Sequence, residues 1–188
     1  MNIAIVGATG NVGRKTLEVL EKKGLKIDNL YLVASSKSAG IKIKFKGKEY
    51  EVSDLENFDF SKAKIIFFAA GGKISEKFAE KASKSSFIID NSSFFRMDKD
   101  VPLIVPQVNP EDLKNIKKNI IANPNCSTAQ LVIALKPLHD LFEIKRVVVS
   151  TYQSVSGGGK APMDELVEQT KLALEGKNIE SKNFTKQI

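Results

Sequence analysis

Residues 3–24 constrain the fold more than any other segment of this chain. Residues 3–6 are apolar, as in a buried parallel strand, and residues 7–13 follow directly with the spacing G-x-x-G-x-x-G. Residues 15–23 then have the pattern of a helix that stops at Gly24. The first glycine permits a tight turn, the second lets the backbone approach a pyrophosphate, and the third lets helix and strand pack closely. This order predicts a dinucleotide-binding unit, in which free N–H groups at the helix start bind the phosphates.

Further strands and helices alternate along the chain. Apolar segments predict strands at 30–34, 64–69, 87–90 and 119–122, a hairpin at 41–45 and 49–52, and helices at 74–84 and 129–136. A long strand at 143–153, a glycine turn at 154–159 and a helix at 161–174 are predicted to follow. The loops after the strands are polar and glycine-rich, and ligands bind at those ends of a doubly wound sheet. The predicted fold class is therefore α/β, with a Rossmann-like doubly wound sheet.

The end of the second strand indicates the cofactor. NAD-preferring sites usually place an Asp or Glu there to hold the ribose hydroxyls. This chain has Ser35, Ser36, Lys37 and Ser38 instead. An acid would repel a 2′-phosphate, whereas these side chains can bind one, so we predict NADP rather than NAD; a plain polar turn is the alternative. Gly71, after a later strand, leaves room for the same cofactor.

Cys126 is the only cysteine in the chain. It stands where the strand at 119–122 is followed by a helix that we expect to end at Pro137. Unpaired backbone N–H groups and the positive end of the helix dipole face a residue in that place. Such a setting favours the thiolate, which is the nucleophilic form. We therefore predict a catalytic nucleophile; the alternative is a small buried hydrophobic residue.

Arg96 lies in the polar loop after the strand at 87–90, together with Asn91. Arginine is scarce here, since only three of the 29 basic residues are arginine. Its planar fork suits two-point binding of carboxylate or phosphate. Arg96 is therefore a candidate anion ligand, with a surface ion pair as the alternative.

Charge and composition exclude several classes of function. The net charge is +7, but the lysines are spread along the chain and mixed with 22 acidic residues. Proteins that recognise nucleic-acid bases rely on the two-point hydrogen bonds and the stacking of arginine guanidinium groups, and arginine is scarce here. A solvated lysine-rich surface is therefore favoured over a nucleic-acid site. No apolar run approaches the ~20 residues of a membrane span, and no metal-ligand spacing occurs. With no signal peptide before the first strand and no possible internal disulfide, we expect a cytoplasmic protein.

Six motifs together resemble the N-terminal portion of aspartate-semialdehyde dehydrogenase. They occur in the family's order and span essentially the whole chain, at residues 7–13, 38–40, 90–96, 105–109, 123–128 and 150–157. The most specific is Asn-Pro-Asn-Cys-Ser-Thr at residues 123–128. N-acetyl-gamma-glutamyl-phosphate reductase usually has Pro-Gly-Cys in place of Pro-Asn-Cys, and such a related acyl-phosphate reductase stays an alternative.

The resemblance implies a reaction. Cys126 would attack the aldehyde of aspartate semialdehyde, hydride would pass to NADP, and phosphate would cleave the thioester to aspartyl phosphate; the biosynthetic direction, towards lysine, threonine, methionine and diaminopimelate, is the reverse. Asn125 would support the nucleophile and Gln153 would orient the substrate. Arg96 and Asn91 would hold the phosphate. The positions that the resemblance implies to contact the cofactor are Thr9, Gly10, Asn11, Val12, Lys37, Ser38, Ser156 and Gly157. The glycine turn and the strand ends discussed above add Gly7, Gly13, Ser35, Ser36 and Gly71.

The resemblance also implies two domains and a homo-oligomer. Residues 1–125 would form an NADP-binding Rossmann-like domain, and residues 126–188 the beginning of an α+β catalytic and dimerisation domain. The family's chains are longer, with a catalytic histidine and a substrate-binding arginine beyond the position of Ile188; His139 does not match that histidine. We therefore expect an incomplete, poorly active enzyme fragment, with a non-catalytic NADP-binding fragment as the alternative. Lys37 stands where the family commonly has arginine. The lysine keeps the positive charge but lacks the forked guanidinium that binds a phosphate at two points.

Overall fold

The computed structural model describes residues 1–184, apart from the side chain of Asn115. Every strand predicted between residues 3 and 122 is present, with bounds within two residues of those predicted. No helix in the described range is both long and apolar enough to cross a membrane. The strands and α-helices are β1 (Asn2–Val6), α1 (Asn11–Lys22), β2 (Asn29–Ala34), β3 (Lys42–Phe45), β4 (Lys48–Asp54), β5 (Ile65–Phe68), α2 (Gly72–Ser83), β6 (Phe87–Asp90), β7 (Ile120–Ala122), α3 (Cys126–Phe142) and α4 (Lys160–Leu174).

The seven strands form one sheet in the order β3-β4-β2-β1-β5-β6-β7. Neighbouring strands are parallel, except that β3 and β4 form the predicted antiparallel hairpin. The chain passes from β1 to β2 on one side and later to β5 on the other side of β1. The carboxyl ends of these three strands therefore border a crevice at a topological switch point, where ligands bind in such sheets. The predicted α/β, doubly wound sheet is confirmed.

Both faces of the sheet are covered by helices, because successive side chains of β1 point to opposite faces. On one face, Ile5 belongs to a buried cluster with Leu17 of α1. On the other face, Val6 belongs to a buried cluster with Phe78 of α2. Burying each large apolar side chain contributes about 1.5–3 kcal/mol. The crevice at the ends of these strands is thus built on a packed support.

Helix α3 is longer than predicted. It runs through Pro137 to Phe142, so the prediction that it ends at the proline is wrong. A proline inside a helix removes one N–H donor and crowds the preceding turn. The helix nevertheless continues, and Lys136 Nζ forms an ion pair with Asp140 Oδ2 at 2.6 Å across this position. The helix ends at Glu143, whose φ of 49° is left-handed.

Residues 143–153 do not form the predicted strand. Their apolar, β-branched composition is typical of strands, but a strand requires backbone hydrogen bonds to a neighbour. The sheet of residues 1–184 provides no neighbour for this segment. Val148 and Tyr152 are consequently exposed, at 84% and 103%.

The chain divides into two compact units, Met1–Val147 and Val148–Ile188. The first contains the whole sheet with α1, α2 and α3, and the second contains α4. The predicted domains, residues 1–125 and 126–188, stay predictions.

In the second unit, the side chain of Glu165 in α4 is buried at 5% exposure. Its carboxylate accepts hydrogen bonds from the backbone N–H groups of Lys182 and Asn183, at 2.7 Å each. These donors, that of Lys182 foremost, lower the pKa of Glu165 below its ordinary value. The ionised carboxylate thereby ties residues 182–183 to α4.

Candidate active site

A cavity of about 270 Å³ lies at the carboxyl ends of β1, β2 and β5. Gly7, directly after β1, has a φ of +85°, and a Cβ there would lie 2.6 Å from the Ala69 carbonyl oxygen. Its N–H donates to the Val33 carbonyl oxygen at 2.8 Å, which ties the turn to β2. Only glycine fits this position, so the shape of the cavity depends on it. The lining residues are Val6, Gly7, Thr9, Gly10, Ala34, Ser35, Leu55, Ala69, Ala70 and Ile74.

Helix α1 begins at the edge of this cavity. Its N-cap residue, Gly10, provides no side chain to accept from the first N–H groups. Gly13, in the first turn, packs so closely that a Cβ there would lie 2.3 Å from the Gly7 carbonyl oxygen. Free N–H groups at the positive end of a helix bind phosphates. The glycine-lined cavity and the uncapped helix start therefore fit a dinucleotide, and the neighbouring Asn11 and Val12 are exposed beside them.

The predicted ligands of the 2′-phosphate follow β2. Ser35 lines the cavity, and Ser36–Ser38 form a short 3₁₀ turn. Lys37 is exposed, and no carboxylate within residues 1–184 pairs with it. Its charge is therefore available to an anion. Gly71, the N-cap residue of α2, follows the cavity-lining Ala70 and has a φ of +86°.

Cys126 is the first residue of α3, and it is exposed. Its exposure argues against the buried-hydrophobe interpretation. The N-cap residue Asn125 lies beside it, with Oδ1 3.7 Å from the cysteine Sγ. The same oxygen accepts from the Ser127 N–H at 2.9 Å and from the Ser127 hydroxyl at 2.6 Å. Asn125 therefore fixes the first helical turn and holds a polar atom next to the sulfur.

Arg96 joins two loops at the same edge of the sheet. Its Nε donates to the Asn123 carbonyl oxygen at 3.0 Å, and its Nη2 donates to the Asn91 carbonyl oxygen at 3.2 Å. Asn123 Nδ2 in turn donates to Asn91 Oδ1 at 2.7 Å. Asn91 follows β6, and Asn123 follows β7 and lies three residues before Cys126. The structure thus brings the arginine loop and the cysteine loop together, as neighbouring parallel strands require.

Gln153, Ser156 and Gly157 lie in the second unit. The Ser154 hydroxyl lies 2.9 Å from the Ser156 hydroxyl in the 3₁₀ turn Val155–Gly158. Gln153 lies against this turn, since a Cβ on Gly157 would be 2.6 Å from Gln153 Nε2. These three predicted site residues are thus neighbours within their own unit.

Two polar residues of the site were missed by the sequence analysis. Asn123 supplies both the acceptor for Arg96 and the amide that contacts Asn91. Ser127 supplies two of the donors to Asn125 Oδ1. Both lie in the Asn-Pro-Asn-Cys-Ser-Thr motif. Asn123 could have been predicted as a site residue, because it is a polar residue directly after a buried strand.

The fold and this arrangement define a Rossmann-type dinucleotide-binding protein with an exposed cysteine at a helix start and an arginine anchored to the loop that leads to that cysteine. Comparison with protein families identifies it further. The family model "Semialdehyde dehydrogenase, NAD binding domain" matches residues 2–116, and "Semialdehyde dehydrogenase, dimerisation domain" matches residues 135–188. The chain belongs to the semialdehyde dehydrogenase family.

Similar curated proteins are named aspartate-semialdehyde dehydrogenase. The one from Aquifex aeolicus is 53% identical over an alignment of 190 positions, which covers 99% of this chain and 56% of that protein. The one from Shewanella violacea is 49% identical over an alignment of 189 positions, which covers 100% of this chain and 56% of that protein. The chain thus spans about half the length of the curated relatives it matches.

Solved structures agree with these relatives. Aspartate semialdehyde dehydrogenase II from Vibrio cholerae, complexed with ASA, has a TM-score of 0.93 and 49% identity, over 100% of this chain and 56% of that chain. The Candida albicans enzyme, solved with NADP, has a TM-score of 0.60 and 30% identity, over 76% of this chain and 48% of that chain. The resemblance to aspartate-semialdehyde dehydrogenase is thus confirmed for the N-terminal portion of these proteins.

Proposed function

We propose that this chain is the NADP-binding, nucleophile-bearing part of an aspartate-semialdehyde dehydrogenase, which reduces aspartyl phosphate to aspartate semialdehyde and releases phosphate. The observation that carries the proposal is the hydrogen bond from Arg96 to Asn123, because it ties a cation to the loop that leads to Cys126. The names of the relatives support the substrate, and the Candida albicans complex supports NADP. The dimerisation-domain match supports a second copy of the chain as partner.

In the biosynthetic direction, the thiolate form of Cys126 bonds through its sulfur to the acyl carbon of aspartyl phosphate, and the bond from that carbon to the phosphate oxygen breaks. Inorganic phosphate leaves with that electron pair. The bound NADPH supplies the hydride that reduces the acyl group to the aldehyde. Cys126 then recovers the electrons of its carbon–sulfur bond as the thiolate, and the aldehyde leaves.

The other predicted site residues are assigned separate roles. Arg96 uses two of the five N–H donors of a guanidinium within the described residues, so three are left for the phosphate. Asn91 uses its amide oxygen with Asn123, which leaves its Nδ2 to donate to the same phosphate. Asn125 Oδ1 accepts from the thiol and holds the sulfur in place. We assign orientation of the substrate to Gln153.

Alkylation of Cys126 tests this proposal, because the only cysteine can be followed by intact mass. We expect the folded chain to react with iodoacetamide faster than free cysteine at the same pH, because a working catalytic nucleophile is more reactive than a free thiol. Inorganic phosphate and aspartate semialdehyde should each slow the reaction. The urea-unfolded chain is the control and should lose both properties. A folded chain that reacts like free cysteine and is protected by neither ligand would contradict the proposal.

The role proposed for Lys37 predicts a change of cofactor preference. Lys37→Ala should weaken NADP binding by about tenfold or more and leave NAD binding unchanged, because a charge-assisted contact to the 2′-phosphate is lost. Lys37→Arg should tighten NADP binding, since a guanidinium can donate two parallel hydrogen bonds to the 2′-phosphate. Calorimetric titration of both dinucleotides against all three proteins measures this. Equal affinities of the unsubstituted chain for NAD and NADP would refute the assignment.

A further inference from the structure

Asp90 is a buried carboxylate that the proposed reaction does not use. It is the last residue of β6 and is 0% exposed. A buried charge is costly unless hydrogen bonds satisfy it. Its Oδ1 accepts from the Ser75 hydroxyl at 2.6 Å and from the Ser92 N–H at 3.2 Å, and its Oδ2 accepts from the Ser92 hydroxyl at 2.6 Å. Both carboxylate oxygens are therefore occupied by donors from two different elements.

These donors lie next to two different parts of the candidate site. Ser75 is in the first turn of α2, next to Ile74, which lines the dinucleotide cavity. Ser92 is in the loop that carries Arg96, and its hydroxyl oxygen also accepts from the Phe94 N–H at 3.1 Å. The carboxylate of Asp90 thus fastens the arginine loop to the helix that borders the cavity.

The anchor of Arg96 depends on this loop. Arg96 Nη2 donates to the carbonyl oxygen of Asn91, the residue between Asp90 and Ser92. The backbone of Asp90 also takes part, because its carbonyl oxygen accepts from the Asn123 N–H at 2.8 Å. Both carbonyl groups that hold the guanidinium are therefore set by segments that Asp90 fixes.

We propose that Asp90 is a positioning residue that sets the orientation of the Arg96 guanidinium for anion binding. The proposal rests on the proposed function in taking that anion to be the substrate phosphate. Hydrogen bonds to an ionised acceptor are shorter and stronger than neutral ones, and those from the two serine hydroxyls select one conformation of the loop. Without the carboxylate, two hydroxyl donors and one N–H lose their acceptor, and the loop has to rearrange to satisfy them.

The Arg96 Nε–H is a direct probe of this orientation. The chain contains only three arginines, and Arg14 and Arg146 are both exposed. In ¹H–¹⁵N spectra of the whole chain, we expect the Arg96 Nε–H signal to be shifted from the other two and to exchange slowly with water. Addition of inorganic phosphate should shift it further.

Three substitutions separate positioning from general destabilisation. Asp90→Asn keeps the volume but replaces one acceptor by a donor, and Ser92→Ala is the milder second variant if the first does not fold. Ser86→Ala is the matched control, because Ser86 is also a buried serine whose hydroxyl is hydrogen-bonded, among others to the carbonyl oxygens of Phe60 and Ala63, but it precedes the other end of β6.

We expect Asp90→Asn and Ser92→Ala to move the Arg96 signal to that of an exposed arginine, to accelerate its exchange and to weaken phosphate binding by about tenfold. Ser86→Ala should lower the thermal midpoint but leave the signal and the phosphate affinity unchanged. The inference is overturned if Asp90→Asn and Ser92→Ala both retain the Arg96 signal and its exchange rate. A wild-type signal that phosphate does not shift would instead contradict the proposed function, while the exchange measurement still decides the role of Asp90.

Discussion

Cys126→Ser is expected to abolish acyl transfer. With aspartate semialdehyde and NADP, the unsubstituted chain should form a single equivalent of NADPH as the cysteine is acylated. Serine occupies the same place at the start of α3, but its hydroxyl is not ionised near neutral pH and is a poor nucleophile without a base. Loss of a nucleophile reduces rates by about a thousandfold or more. The measurement is stopped-flow absorbance of NADPH together with the intact mass of the protein.

The neighbouring residue offers a matched control for this experiment. Ser127 donates its hydroxyl to Asn125 Oδ1 at 2.6 Å, so Ser127→Ala alters the same helical turn and leaves the sulfur in place. Its acylation rate should fall by no more than about tenfold, the effect of one hydrogen bond. Both variants should bind NADP as the unsubstituted chain does. An acylation burst that survives in Cys126→Ser would assign the nucleophile to another residue and contradict the proposed mechanism.

The parts of the fold that follow from local sequence were predictable. The first strand, the glycine turn and α1 are adjacent in the chain, and each has its own periodic or steric signal. The same holds for the position of Cys126, since a short apolar strand and an apolar helix flank it on either side. Predictions failed where the outcome depends on more than the local sequence pattern.

Residues 143–153 illustrate this limit. Their composition satisfies every local criterion for a strand, but strand formation needs a partner that composition does not reveal. Pro137 illustrates a second limit, because α3 continues through it although a proline inside a helix costs about 3 kcal/mol. In both cases the local sequence has the stated structural preference, and the surrounding structure overrides it.

The site shows a third limit. The sequence predicts Arg96 and Cys126 as separate candidates, 30 positions apart. What relates them is a side chain-to-backbone hydrogen bond from Arg96 to Asn123, and backbone acceptors have no residue signature. The sequence identifies Arg96 and Cys126 as candidates but does not show that their loops are in contact. That contact follows from β6 and β7 being neighbours in the sheet.

Gly13→Ala is expected to disrupt the first unit. The backbone at Gly13 is ordinary helix, so the cost is steric and not conformational. The new Cβ would lie 2.3 Å from the Gly7 carbonyl oxygen and 2.8 Å from the Ala8 Cα, and both are backbone atoms that cannot rotate away. Helix α1 must therefore move off β1, which loosens the core on that face. We expect the free energy of unfolding to fall by about 3 kcal/mol or more, and dinucleotide binding to be lost with the turn.

Gly72→Ala distinguishes this steric effect from a general effect of replacing a helical glycine. Gly72 is the first residue of α2, and a Cβ there would lie 3.9 Å from the Phe94 Cβ, an ordinary contact. Because alanine favours helix over glycine, Gly72→Ala should be neutral or stabilising by up to about 1 kcal/mol. Urea unfolding of both variants, followed by circular dichroism, measures the difference. If Gly13→Ala is as stable as Gly72→Ala but no longer binds dinucleotide, glycine is needed there for approach of the phosphates and not for the packing of α1 on β1.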